Sequence, residues 1–479
     1  MRRLALVLAL VLVAPAAAAT IRTVHGTRND DFIQASFDGI ERVDCRGGFD
    51  VVAADLGDTI APNCEVVSRR LSVDSSTNPA SQHETSVEPD DFASGATVVA
   101  TYQVGRFATG GASNIGFAVS RDAGRTWQRG ILPGLTVESN PPGAERAASD
   151  PAVTFDAVHG VWLITTLTLE QGGTRVQVSR STDGAHWSSP VTVATGPALD
   201  KEWIACDDGT TSSFRGRCYD MYTDDAKNQV SSQSSDDGGL TWSAAVRAGG
   251  DLVGVQPAVL ADGTVVTVAG SFDERGTGGT IEGARSTDGG ATFAPFTVAS
   301  LQAAPSMPLR GISLPTLALD GSGRIYVAWT DCSFRPSCTA NDVVLSSSTD
   351  GLTWSPPARV PVAVGATSSA LIVGLGADPT RGGRLALVYA YFTSSCACRL
   401  GVASVQSRDS GATWTKPLQL DAVPMQMPWL PQASGRMVGD YFSTAFAGDR
   451  VVPVFALAVA PTGTRLHEAI FATSLKALP

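Results

Sequence analysis

The chain has 479 residues and a formal net charge of −11, with 17% charged and 43% hydrophobic residues. An acidic balance with no basic stripe excludes a nucleic-acid surface, and nothing after residue 19 is long and apolar enough to span a bilayer. Residues 1–19 hold Arg2 and Arg3, an apolar run from Leu4 to Val13, then Pro15 and four alanines before Thr20. That is the pattern of a signal peptide cut after Ala19, so export is expected.

Residues 20–68 differ in character. They contain Gly26-Thr-Arg-Asn29-Asp30-Asp31-Phe-Ile, Gly47-Gly48-Phe-Asp50-Val-Val and Asp55-Leu-Gly-Asp58-Thr-Ile. These segments resemble degenerate copies of the Gly/Asp nonapeptides of calcium-binding β-rolls. The resemblance implies that Asp30, Asp31 and Asp50 would ligate calcium, a hard cation that takes oxygen ligands. The alternative is a β-roll fragment held by Cys45 and Cys64 without metal. Eight cysteines in an exported chain favour disulfides, and they come as near neighbours: Cys45 with Cys64, Cys206 with Cys218, Cys332 with Cys338, Cys396 with Cys398. The last spacing is tight, and a cross-loop partner such as Cys338 stays open. A metal site is the rival reading, without paired histidines nearby to support it.

From residue 69 two repeats interleave. The first is an acidic hairpin motif: Ser120-Arg-Asp122-Ala-Gly124-Arg-Thr126-Trp127, then copies centred on Asp183, Asp237, Asp288, Asp350 and Asp409. An Asp carboxylate accepts hydrogen bonds from amides just downstream, Gly supplies a positive φ, and Trp buries a large ring beside the turn. The second repeat is a short apolar strand lying between the hairpins, in seven copies that include His83-Glu84-Thr-Ser-Val87-Glu-Pro, Ser149-Asp150-Pro-Ala-Val153, Asp200-Lys201-Glu202-Trp-Ile204 and Val438-Gly-Asp440-Tyr441-Phe, the last without a hairpin of its own. Each period holds about four strands, the content of one propeller blade.

This organisation resembles the Asp-box (BNR repeat) propellers of the sialidase superfamily over roughly residues 69–479. The resemblance implies an all-β Asp-box β-propeller. Sialidases have six blades, whereas seven inner-strand motifs here favour seven, with a strand near Ser68 to Val73 completing the last blade so that no edge is left unpaired. The expected organisation is a signal peptide (1–19), a β-roll-like segment (20–68) and the propeller (69–479).

Propellers gather the loops that lead into their inner strands around one mouth of the channel. Arg146, Arg310 and Arg436 stand just before inner strands, and Lys201 lies within one. Sialidases clamp the sugar carboxylate with converging arginines, so the resemblance implies that these residues, with Glu84, contact substrate. It also implies a Tyr nucleophile activated by a carboxylate, with a separate acid. Tyr441 with Glu202 or Asp440 fits the first pair, and Asp150 fits the acid. The first inner-strand motif departs from the pattern: the enzymes carry an Arg there, and the nearest Arg in this chain is Arg106, beyond the strand. The structural alternative is that these inner-strand carboxylates cap amides and pair across blades. The functional expectation is a secreted monomeric propeller that recognises a glycan at its channel mouth, of exo-sialidase type, needing no cofactor beyond calcium in the N-terminal segment. The alternatives are a non-catalytic binding or scaffolding propeller, or a hydrolase of neutral polysaccharide.

Overall fold

The computed structural model describes residues 21–170, 172–273, 276–306, 308–311, 313–362, 368–393 and 398–479. The signal-peptide segment and Cys396 lie outside these residues. Six short strands come first: β1 (Arg22–His25), β2 (Phe32–Ala35), β3 (Glu41–Asp44), β4 (Val51–Ala54), β5 (Thr59–Ile60) and β6 (Val66–Arg70). They pair in parallel and alternately, β1 with β3 and β5 in one sheet, β2 with β4 and β6 in another. Ile33, Ala35, Val43, Val52 and Ala54 fill the space between, stapled by the Cys45–Cys64 disulfide. Asp30 accepts the Phe49 amide at 2.8 Å, and Asp50 accepts the Asp31 amide at 2.8 Å. Asp31 accepts the Thr27 amide at 2.5 Å. The three aspartates thus bind turn amides that no strand ladder satisfies.

The rest of the chain runs as antiparallel groups, each opening with an inner strand. These seven strands are Ser86–Ser94, Ala147–Asp156, Leu199–Cys206, Val253–Val259, Thr316–Leu319, Ser369–Ala377 and Ser443–Ala447. Each packs beside the next, and the last packs beside the first, so the inner strands make a closed ring. Side chains bolt them together where sheet hydrogen bonds are missing. Asp90 accepts the Val153 amide at 2.8 Å and the Ser443 hydroxyl at 2.8 Å, Gln256 accepts the Leu317 amide at 2.8 Å, and Thr316 accepts the Leu375 amide at 3.3 Å.

β6 closes the wheel. Residues Ser68, Arg69 and Arg70 pair antiparallel with Thr473, Ala472 and Phe471 of the strand Arg465–Thr473. The other edge of β6 pairs in parallel with β4. β6 therefore straddles the expected boundary at residue 68 and makes the N-terminal coil continuous with the last sheet.

The acidic hairpins behave as their residues require. Asp122 accepts the Thr126 amide at 2.9 Å and the Thr126 hydroxyl at 2.7 Å, Ser120 accepts the Gly124 amide at 2.8 Å, and Trp127 donates to the Gly124 carbonyl at 3.0 Å. These bonds hold the hairpin carboxyls low; Asp288 sits at about 2, chiefly through the Thr292 hydroxyl. Each hairpin also rests on the preceding group. A Cβ on Gly351 (φ +68°) would lie 2.4 Å from Val266, and Gly124 of the first hairpin abuts Val452 of the last group. Glycine is needed both for the turn and for that approach. Replacing Asp237 by Ala, which removes the bonds to the Leu240 and Thr241 amides and the Thr241 hydroxyl, is expected to cost about 1–3 kcal/mol in urea unfolding. No change in midpoint would contradict the capping role. A chain starting at Leu71 should lose its single cooperative melt and self-associate through the bared edge, as read by calorimetry and gel filtration.

Candidate functional site

Five inner strands carry a register shift near their start, and the extra residue turns its side chain toward the axis. At these points Glu88 (φ 54°), Asp150 (φ 46°), Lys201 (φ 51°) and Ile372 (φ 42°) take the left-handed conformation, with Gly254 (φ 74°) in the fifth. For non-glycine residues this costs of order 1 kcal/mol each, most for β-branched Ile372. Such strain survives only where the surrounding structure imposes it.

The bulges bring together one ammonium and three carboxylates. Lys201 Nζ lies 2.5 Å from Asp150, 2.9 Å from Asp440 and 3.4 Å from Glu88. Arg310 approaches from the mouth, with Nη2 2.7 Å from Asp440. A second relay backs the first: Arg106 donates to Gln103 at 2.6 Å, Gln103 donates to Glu88 and to Ser149, and Ser149 donates to Asp150 at 2.6 Å. Burial would depress the Lys201 ammonium, but Asp150, Asp440 and Glu88 outweigh it and raise its pKa well above the usual lysine value. Burial pushes Glu88 up to about 8, assisted by Asp150. Asp440 goes the other way: Lys201 and Arg310 overcome its burial and hold it below the ordinary carboxylate range.

Beside this cluster Tyr441, Glu202 and Asp440 line one pocket on the axis, with Trp203, Gln256 and Thr316. The Tyr441 hydroxyl, both Glu202 oxygens and Asp440 Oδ1 are buried without hydrogen-bond partners. Burial, reinforced by Asp150 and Asp220, raises the Glu202 carboxyl well above its usual value; burial and Glu88 do the same to the Tyr441 phenol. Trp203 packs edge-on to the Tyr441 ring at 5.1 Å. The free space here is about 10 Å³, room for about one water. Toward the mouth it gives way to a cavity of about 220 Å³ lined by Arg310, Ser313, Thr330, Asn341 and Ile372. The Arg310–Asp440 ion pair links the two.

The expected site residues are thus divided. Tyr441, Glu202, Asp440, Asp150 and Lys201 share the axial pocket, and Arg310 reaches its edge. Arg146 is exposed. Arg436 turns to the Leu430 carbonyl at 2.6 Å. Glu84 precedes the first inner strand in a left-handed turn and faces the last group, where it pairs with His467 at 2.9 Å and Arg465 at 3.0 Å. Sequence reasoning passed over Glu88 and Gln103, and it noted Arg106 only as an arginine beyond the first inner strand. Glu88 had a signal: Glu88-Pro-Asp aligns with Asp150-Pro-Ala, so the axial position of Asp150 implies that of Glu88. Arg106 comes in from a second strand, which no linear motif marks. Among the described residues, the one cluster of three metal-ligating groups is Asp156 with Cys206 and Cys218, and those cysteines are joined in a disulfide.

No protein-family model and no curated protein matches the chain. Among solved structures it is similar to the Hadza microbial sialidase Hz136, at 18% identity over 64% of this chain and 64% of that one, with a TM-score of 0.46. It therefore spans 64% of that sialidase's length. It is similar to a leech intramolecular trans-sialidase at 13% identity, covering 71% of this chain and 68% of that one, TM-score 0.47. A PL25 ulvan lyase bound to a glucuronate-containing saccharide aligns over 84% of this chain and 96% of its own, at 12% identity and a TM-score of 0.50.

Several buried carboxyls here bind protons more tightly folded than unfolded: Glu88 and Asp220 titrate at about 8 and Asp90 at about 7, all chiefly through burial. The stability linked to those protons is complete below about pH 4, the unfolded value, and is lost as pH climbs through about 7 to 8. The melting temperature should therefore fall between mildly acid pH and pH 8.5, and Glu88→Gln should flatten the slope. A rising profile would refute the assignment. Lys201→Met, which strands the buried Asp150 and Asp440 carboxylates, is expected to destabilise by about 3–5 kcal/mol in urea titration. The closed ring of antiparallel sheets makes the chain an all-β propeller.

Proposed function

We propose that the chain is an exported, seven-bladed Asp-box propeller that recognises a glycan at its channel mouth and cleaves a terminal sugar there, in the manner of an exo-sialidase. One observation carries the catalytic part: Tyr441, Glu202 and Asp440, each with an oxygen that lacks a hydrogen-bond partner, line a single buried pocket. Buried polar groups are almost always paired, and leaving several unpaired in one place costs a few kcal/mol unless a ligand completes them. Glu202 can accept the Tyr441 proton only in its ionised form, which burial disfavours, so turnover should grow as rising pH ionises it. That transfer would make the phenolate that attacks the anomeric carbon. Asp150, paired with Lys201 and accepting from Ser149, would have to take up a proton before it could give one to the leaving group. Arg310 is the anchor for an anionic substituent, since it alone of the three arginines lines the mouth cavity. Export is supported by the signal-like leader and by the three disulfides seen among the described residues.

A second reading, a non-catalytic glycan-binding propeller, is favoured by the narrow axial space and by Lys201, whose charge is already met by carboxylates. A fluorogenic sialoside and a glycan array separate the two. Tyr441→Phe and Glu202→Gln should each lower kcat at least about 100-fold with the fold intact by circular dichroism. Arg310→Gln should raise KM or weaken array binding about tenfold. Array binding without turnover by the unmodified chain would select the second reading, and neither binding nor turnover would overturn both.

A further inference from the structure

Beyond the constriction formed by Trp203, Gln256 and Thr316, the channel widens into a cavity of about 480 Å³. It lies at the ends of the inner strands, on the face where the antiparallel runs also place the acidic hairpins. We propose that this cavity is a second binding site, independent of the mouth, for a small organic ammonium cation.

Two features of its lining point to that chemistry. One wall carries Phe92, 38% exposed, and Phe155, both packed against the buried Trp162 behind them at 6.4 Å and 4.8 Å. Trp203 forms the floor. Ring faces of this kind attract cations through their quadrupole, about 0.5–2 kcal/mol per ring. The other feature is charge. The lining includes Asp90, Asp91, Asp208 and Asp320, and among the described residues that line it there is no Lys, Arg or His. A channel with one sign of charge and low-dielectric walls concentrates ions of the opposite sign.

The aspartates are not equivalent. Asp320 is taken up by Tyr326 and the Gly383 amide, and Asp90 by Val153 and Ser443. Asp91 is 6% exposed, and neither of its oxygens has a hydrogen-bond partner. Asp208 is exposed at the rim, where it accepts the Ala157 amide at 3.1 Å. A bound ammonium supplies the partner that the Asp91 oxygens lack, and Asp208 at the rim adds negative charge to the entrance. Burial raises Asp91 well above its usual pKa, Asp90 to about 7 and Asp208 to about 6. A cation must therefore displace protons to bind, and its affinity should climb as pH rises through that range.

Titration calorimetry of the full chain tests this with choline and its uncharged isostere 3,3-dimethylbutan-1-ol. The expected result is one choline per chain, with the isostere at least about tenfold weaker. Choline affinity should increase about tenfold between about pH 5 and about pH 8. Phe92→Ala and Asp208→Asn, both at exposed positions, should each weaken choline about fivefold or more without lowering the melting temperature, and Asp91→Asn should weaken it further. No choline heat, equal binding of the isostere, or preferential binding of a neutral oligosaccharide such as cellotetraose would each overturn the proposal.

Discussion

Three backbone pairs between β6 and the strand Arg465–Thr473 hold the wheel shut. Without them the last sheet would end in an unpaired edge and the inner strands could open like a coil. With them, every inner strand has a neighbour on both sides, so residues far apart in sequence are forced to a common axis. Asp440 and Lys201, 239 residues apart, meet at 2.9 Å for this reason. The N-terminal coil is therefore part of the closure as well as an appendage, because β4 covers the outer edge of β6.

A buried cluster of three carboxylates and one ammonium is costly by itself. Removing each ion from water costs several kcal/mol, and direct attraction repays this only when geometry and further hydrogen bonds are good. The chain supplies both, through bulges that aim the charges and through the Arg106–Gln103–Ser149 relay that satisfies the outer oxygens. The oxygens of Tyr441 and Glu202 receive no such support. Among the carboxylate oxygens of the cluster only Asp440 Oδ1 stays unpartnered, and it lines the same pocket as Tyr441 and Glu202.

The mouth is also asymmetric. Glu88, Asp150, Lys201 and Asp440 place charge on one side of the axis, whereas Gly254, Leu314 and Ile372 occupy the corresponding places on the other. The larger mouth cavity lies over the apolar side, and Arg310 crosses between the halves. A ligand entering from the mouth meets a cation first and the unpaired oxygens second. The resemblance to six-bladed enzymes places three arginines together, but Arg436 is turned aside by the Leu430 carbonyl and Arg146 stays in solvent.

What was legible in sequence is what local chemistry controls. The six acidic hairpins could be read because Ser, Asp, Gly, Thr and Trp satisfy one another within eight residues, and the seven inner strands could be read because six of them precede such a hairpin at a regular interval and the seventh follows the last one. Lys201, Glu202, Asp440 and Tyr441 were found because they sit inside those repeats. Tertiary structure alone decided which charges meet. Register shifts turn Glu88 and Asp150 inward, Arg106 enters from a second strand, Glu84 is drawn off to His467 and Arg465, and the narrow axial gap is set by how closely seven strands pack. Side-chain direction at a bulge and the width of a closed ring depend on contacts between residues hundreds of positions apart, and no local pattern encodes them.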